Sequence, residues 1–364
     1  MGQNATPIRP WNLIFPLDGD MVTEGDGELR DGRLVIQAQV NGPEGRNLQV
    51  NGVHAAEVSG VYTAAIVLDR YRNTVELADS AGGYAETVTV YWLKQAANKY
   101  RISVDDNIWF LQNIAENRHT YRSIFDNPFL AVYKELHDRF GTKVHFNIYD
   151  RCESFDLSQM PDTYKQEWQE NADWMRLTFH ALQNDPPKPY EFAEADEIMR
   201  DCKRVTEQII RFAGEQLLEP ATTIHYGAAT REGCRALRQF GFRGMAGFFQ
   251  LANGKPIVSY YLDNEQTEHL NGRDFWKDER EDLIFVKIDA VLDRLRLGDI
   301  VPHLQQVKAR RGEAAFIELL IHEQYFYPHY RAYQPDYRDK LFAAAQWAQD
   351  NGYSPAFLSE VLLD

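Results

Sequence analysis

Between Trp11 and Trp92 apolar and polar residues alternate in short runs: RLVIQAQV (33–40), YTAAIVLD (62–69), NTVELADS (73–80) and AETVTVYW (85–92). A period of two puts one face of each run inward and the other in water, which predicts half-buried β-strands. The clusters DGDM, NGPEGRN and SAGG between them supply the Gly, Asn, Asp and Pro that turns need. Strands at this spacing predict a small β-sandwich over residues 1–98. After KQAANKY the texture changes. Short apolar runs (YRISV, KVHFNIY, RLTFHAL, ATTIHYG, RGMAGFF, DLIFVKID, AFIELLIHEQ) now alternate with long amphipathic stretches such as NPFLAVYKELHDRF, DEIMRDCKRVTEQIIRFAGEQL and YRDKLFAAAQWAQDNG. That order predicts a parallel β/α barrel over residues 99–364.

With 364 residues, 44% of them hydrophobic, the chain can bury two cores. Its net charge of -15 and lack of a basic stretch argue against nucleic acid or an anionic membrane surface as partner. Cys152, Cys202 and Cys234 are too widely spaced for a metal knuckle and odd in number, which predicts free thiols. MGQNATPIRPWNLIFPLDGD lacks a basic start, an apolar core and a cleavage site, and no run approaches the ~18 apolar residues of a membrane span. The expected compartment is the cytoplasm for a complete chain, and the cell exterior for one trimmed of a signal.

In a β/α barrel the reactive groups collect where strands end, because the loops there leave an open mouth above a packed core. The predicted strands end on Asp105 and Asp106, on Asp150 with Arg151 and Glu153, on His180, on His225, on Asp289, and on His322 with Glu323. Any one of these is an ordinary cap or surface group; their recurrence marks a candidate site. Of two adjacent carboxylates, one can hold a divalent metal while the other accepts a proton from water. Imidazole with carboxylate suits zinc, or cobalt, nickel and iron, better than magnesium or calcium.

ISVDDN resembles the Thr-Phe-Asp-Asp-Gly motif that opens the polysaccharide deacetylase (chitooligosaccharide-deacetylase-like) family. The resemblance runs over residues 99–364 in motif order and implies a distorted β/α barrel that hydrolyses N- or O-acetyl groups on carbohydrate. It implies Asp105 as base and Asp106 as metal ligand. RLTFHAL stands at the second motif and implies His180 as a second ligand; ELLIHEQ matches the closing motif and implies His322 as the acid, oriented by Asp289 of FVKID. The sequence departs from the family where a second histidine is usual, since Asn184 stands four residues after His180, and Asn107 replaces the glycine after the two acids. His225 is the candidate replacement ligand, which makes this a divergent branch. LQVNGVHAAEVSGVYTAAIVLDRYRNTVELADSAG likewise resembles the immunoglobulin-like modules that bacteria append to carbohydrate-active enzymes. The fold class expected is therefore multidomain, an immunoglobulin-like β-sandwich followed by a polysaccharide-deacetylase-type barrel.

Asp150, Tyr190, Tyr226, Glu323 and Tyr325 are candidate carbohydrate contacts, because aromatic faces stack on sugar rings and carboxylates bond hydroxyls. Tyr325, with Phe326, Tyr327, Tyr330 and Tyr333, equally suits packing of the last helix against the barrel, and Glu323, next to His322 on an extended chain, points the other way. Two further functions remain open at this point. One is glycosidic cleavage by two carboxylates among Asp105, Asp150, Asp289 and Glu323; the other is glycan binding without catalysis.

Overall fold

The structure, a computed structural model, describes residues 11–79, 83–310 and 312–363. The first ten residues and most of the SAGG turn lie outside them. The chain divides into two compact units between Ala97 and Asn98.

The first unit is a β-sandwich. One sheet orders Asn12–Phe15, Arg33–Asn41, Val61–Leu68 and Ala56–Val58, with Gly27–Arg30 also on Arg33–Asn41; the other orders Met21–Val22, Tyr84–Trp92, Arg72–Asp79, Leu48–Val50 and Val53–His54. The alternation is what closes it. Leu34, Ile36, Ala38 and Val40 of one sheet and Val75, Leu77, Val88 and Val90 of the other point into a shared core. Their alternate neighbours face outward, as a period of two requires.

The second unit carries a six-stranded parallel sheet in the order Met175–Ala181, Val144–Tyr149, Lys99–Asn107, Phe316–His322, Ala290–Val291, with Ser354–Pro355 beside Lys99–Asn107. A second sheet holds Ala221–Thr222, Gly244–Gly247 and Leu283–Lys287 in parallel, and Phe275–Asp278 antiparallel. The parallel strands read as continuous apolar runs because helices cover them: Pro128–Phe140, started by Asn127, and Ala195–Phe212 and Tyr337–Asp350 are the long ones. No helix among the described residues is long and apolar enough to cross a membrane. All three cysteines are free thiols.

The sheets do not close into the barrel the sequence suggests. Between Met175–Ala181 and Ala221–Thr222 there is no ladder. The reason is local: Pro220 has no N–H to donate and the strand after it is two residues long. Side chains take over the exposed carbonyls instead, Thr222 donating to Phe179 O and His180 Nδ1 to Thr223 O. The open seam therefore sits beside the candidate site.

Candidate metal centre

Asp105 and Asp106 end the central strand, where regular alternation would aim them to opposite faces. A β-bulge between Val104 and Asn107 and a left-handed Asp106 (φ 66°) turn the chain so that Asp106 contacts His180 and His225 while Asp105 stays level with His322. Asn107 fixes the bulge. Its amide donates to Val104 O (2.6 Å) and Asn147 O (2.9 Å).

Asp106 Oδ1 lies 3.2 Å from His180 Nε2 and 3.2 Å from His225 Nδ1, and those nitrogens are 3.2 Å apart. Two atoms held by one tetrahedral ion at zinc's usual bond lengths stand about 3.3 to 3.4 Å apart, so the triangle has the spacing of a coordination face. The protonation pattern points the same way. His180 Nδ1 is bonded to the carbonyl of Thr223 and His225 Nε2 to that of Asn184 (3.1 Å), which places the N–H of each neutral ring away from the triangle. With both rings neutral, two imidazole lone pairs and a carboxylate face one another and a cation satisfies all three; without one, burial lowers the His180 pKa but Asp105 and Asp106 outweigh it and raise it, and a proton on His180 Nε2 bonds Asp106 Oδ1. Burial opposes charge on Asp106, but its contacts with His180 and His225 and the nearby His322 hold it well below the usual carboxylate range.

The turn that presents His225 depends on its glycine. A Cβ on Gly227 (φ 53°) would stand 2.7 Å from Val258 Cγ1, and Tyr260 N donates to Gly227 O (2.7 Å), so the segment 258–260 packs directly on this turn. Tyr226 beside it is also left-handed (φ 61°) and is 48% exposed, its ring 4.6 Å from that of His225.

Asp105 pairs in register with His322 on the neighbouring strand. Its Oδ1 accepts from Asn147 Nδ2 at 2.6 Å, and the amide cannot flip, because Thr178 Oγ1 and Thr223 N donate to Asn147 Oδ1. Behind Thr178, His145 Nε2 bonds Thr178 Oγ1 (2.6 Å) and His145 Nδ1 faces Arg101, which is paired with Glu318. A buried polar chain thus fixes the orientation of Asp105. Burial raises its carboxyl above the usual range, against the pull of His180 and His322.

His322 is held by Asp293, not by Asp289. Asp293 Oδ1 accepts from both His322 Nδ1 (2.8 Å) and His322 N (3.0 Å). Asp289 accepts from Glu318 N (2.9 Å) and lies 3.3 Å from Lys287 Nζ, on the other side of the short strand Ala290–Val291. Burial works against charge on His322, yet Asp293, Asp106 and Asp105 outweigh it and push its pKa up to about 9. Asp293→Asn is expected to lower the His322 pKa in metal-free protein toward the ordinary histidine value, read by NMR titration of the imidazole; an unchanged value would show that Asp293 does not set it.

Three other expected site residues are engaged elsewhere. Asp150 is buried against Arg204 (2.9 Å) and Arg151 (3.4 Å). Tyr190 is buried, donating to Asp201 (3.1 Å) and accepting from Leu182 N (3.0 Å). Glu323 is buried beneath the mouth, where its carboxylate takes the backbone N–H groups of Ile108, Trp109 and Phe110 at 2.6–3.0 Å. All three are buried, as is Asp289. The Asn184 side chain bonds Asp185, so it is no ligand. Tyr325 is half-buried, with its ring 6.0 Å from that of His322. From there rings continue through Tyr330 (5.3 Å) to Trp109 (6.0 Å) and His329 (4.9 Å), while Phe326 turns inward onto Phe129 and Tyr337.

Sequence reasoning missed Asp293, Asn147 and Tyr149. Asp293 follows Asp289 by four residues and was open to the same argument; Asn147 and Tyr149 sit in FNIY, which reads as plain core.

No family model and no curated protein matches the chain. Solved structures align with it only remotely. The Bc1960 peptidoglycan N-acetylglucosamine deacetylase covers 74% of this chain and 90% of its own at 10% identity and a TM-score of 0.39. The CE4 family pseudoenzyme BA3943 from Bacillus anthracis covers 79% and 83% at 10% identity and 0.36. A 4-alpha-glucanotransferase from Thermococcus litoralis covers 73% and 40% at 11% identity and 0.46. At such scores these likenesses decide neither family nor reaction, which leaves the site's own geometry.

Proposed function

We propose that this protein is a metal-dependent hydrolase that removes an N- or O-acetyl group from a carbohydrate. The observation that carries the reading is the triangle of Asp106, His180 and His225, three lone-pair donors turned toward one point, with Asp105 and His322 on the strand ends beside it. Those three residues would hold a divalent ion, with zinc favoured and cobalt, nickel or iron as alternatives. When bound, such an ion polarises an acyl carbonyl and makes water a better nucleophile.

The remaining roles belong to the chain. Asp105, steered by Asn147, accepts the proton of the attacking water. His322, charged and aligned by Asp293, gives a proton to the departing amine or alkoxide, so that water is split between acetate and the freed sugar. Tyr226 on the His225 side and Tyr325 with Tyr330 on the His322 side offer ring faces to a sugar. We assign the first unit, on its immunoglobulin-like resemblance, a spacer role.

The test is acetate release from acetylated oligosaccharides. Activity is expected with zinc-loaded protein, to vanish with a chelator and to return with added metal. Release that persists after complete metal removal would refute the reading.

A further inference from the structure

We propose that the phenol oxygen of Tyr149 is a fourth protein ligand of this metal, so that the donor set is two imidazole nitrogens, one carboxylate oxygen and one phenol oxygen. The inference rests on the metal reading above and deepens it.

Tyr149 ends the strand Val144–Tyr149 and is buried, with its ring centroid 5.2 Å from each of the His180 and His225 rings. Its hydroxyl touches Asp106 Oδ1 and lies 2.8 Å from His225 Nδ1, two of the three atoms of the triangle. Among the described residues the hydroxyl bonds only to Asp106 and His225. A phenol has one proton to give. Here it meets two acceptors at once, a carboxylate oxygen and a nitrogen whose ring N–H is already spent on Asn184 O. With both rings neutral, hydrogen bonding leaves one of the two without a donor, in a buried site where that is costly. A cation where the four atoms converge satisfies all of them, the phenol proton passing to solvent as the oxygen–metal bond forms. Tyr149 brings an oxygen to the cluster from the strand adjacent to that of His180. An added oxygen donor also shifts the site's preference from softer toward harder ions.

The test reads coordination, not turnover. Metal-stripped protein is loaded with one equivalent of ferric iron and its visible spectrum recorded; a phenolate-to-iron charge-transfer band is expected, and its absence with iron bound would overturn the proposal. Tyr149→Phe keeps the ring that packs on both histidines, and it is expected to bind iron without the band. Zinc affinity, measured by competition with a chromogenic chelator, is expected to fall at least tenfold in the variant. That fall alone would not decide, since losing a hydrogen-bond partner of a ligand also costs about 10- to 100-fold. The band decides, and in the wild-type protein it does so even if the variant folds poorly. Failure of the wild-type protein to bind any ion would refute the metal reading itself, whereas iron binding without a band refutes only the fourth ligand.

Discussion

Asp105→Asn protein is expected to keep its metal and to lose turnover on acetylated oligosaccharide by a factor of about 10² to 10⁴, the usual contribution of a positioned base. The substitution is nearly isosteric. The new amide oxygen can still accept from Asn147 Nδ2, and Asp106, His180 and His225 are untouched, so folding and metal content should be unchanged. What disappears is the site that takes a proton from water. Parallel measurement of kcat and of bound metal separates the outcomes: full activity would remove Asp105 from the mechanism, and loss of metal would make it a ligand.

Glu323→Ala is expected to destabilise the second unit by at least about 3 kcal/mol, since three backbone N–H groups lose their acceptor at about 1 to 3 kcal/mol each. The helix Trp109–Glu116 has no cap of its own, because Ile108 at its N-cap offers no side-chain acceptor. Glu323 supplies it from the far end of the sequence, placing a carboxylate where the helix dipole favours one. Against a typical total stability of 5 to 15 kcal/mol the loss is large. Since this helix starts three residues after Asp106, loosening it should also release the left-handed turn that aims Asp106. A lower urea midpoint with weaker metal binding is the expected result; a midpoint like that of the wild-type chain would show that water replaces the cap. Glu323→Gln, which keeps one acceptor oxygen, should fall between.

These two residues mark how far the sequence could be read. Asp105 and Asp106 stood out because two acids ending an apolar strand are unusual, and the strand does end there. The alternation in RLVIQAQV is the burial alternation of Arg33–Asn41, since a half-buried strand writes its environment directly into its residues. Glu323 gave no such signal. Its partners lie more than 200 positions away, and adjacency to His322 showed only that it points elsewhere. The choice between Asp289 and Asp293 was closed to sequence for a related reason. Both follow the same apolar run, and only the pairing of Ala290 with Leu319 and Val291 with Leu320 decides which acid comes level with His322. The open seam depended on a two-residue strand after a proline, too short to leave a periodic pattern.

The most direct measurement is elemental analysis of the purified protein and of its His180→Ala variant, side by side and without added metal. About one zinc, cobalt, nickel or iron per chain in the first and none in the second is the expected result. Equal metal in both, or none in either after incubation with zinc, would contradict a metal centre built on Asp106, His180 and His225.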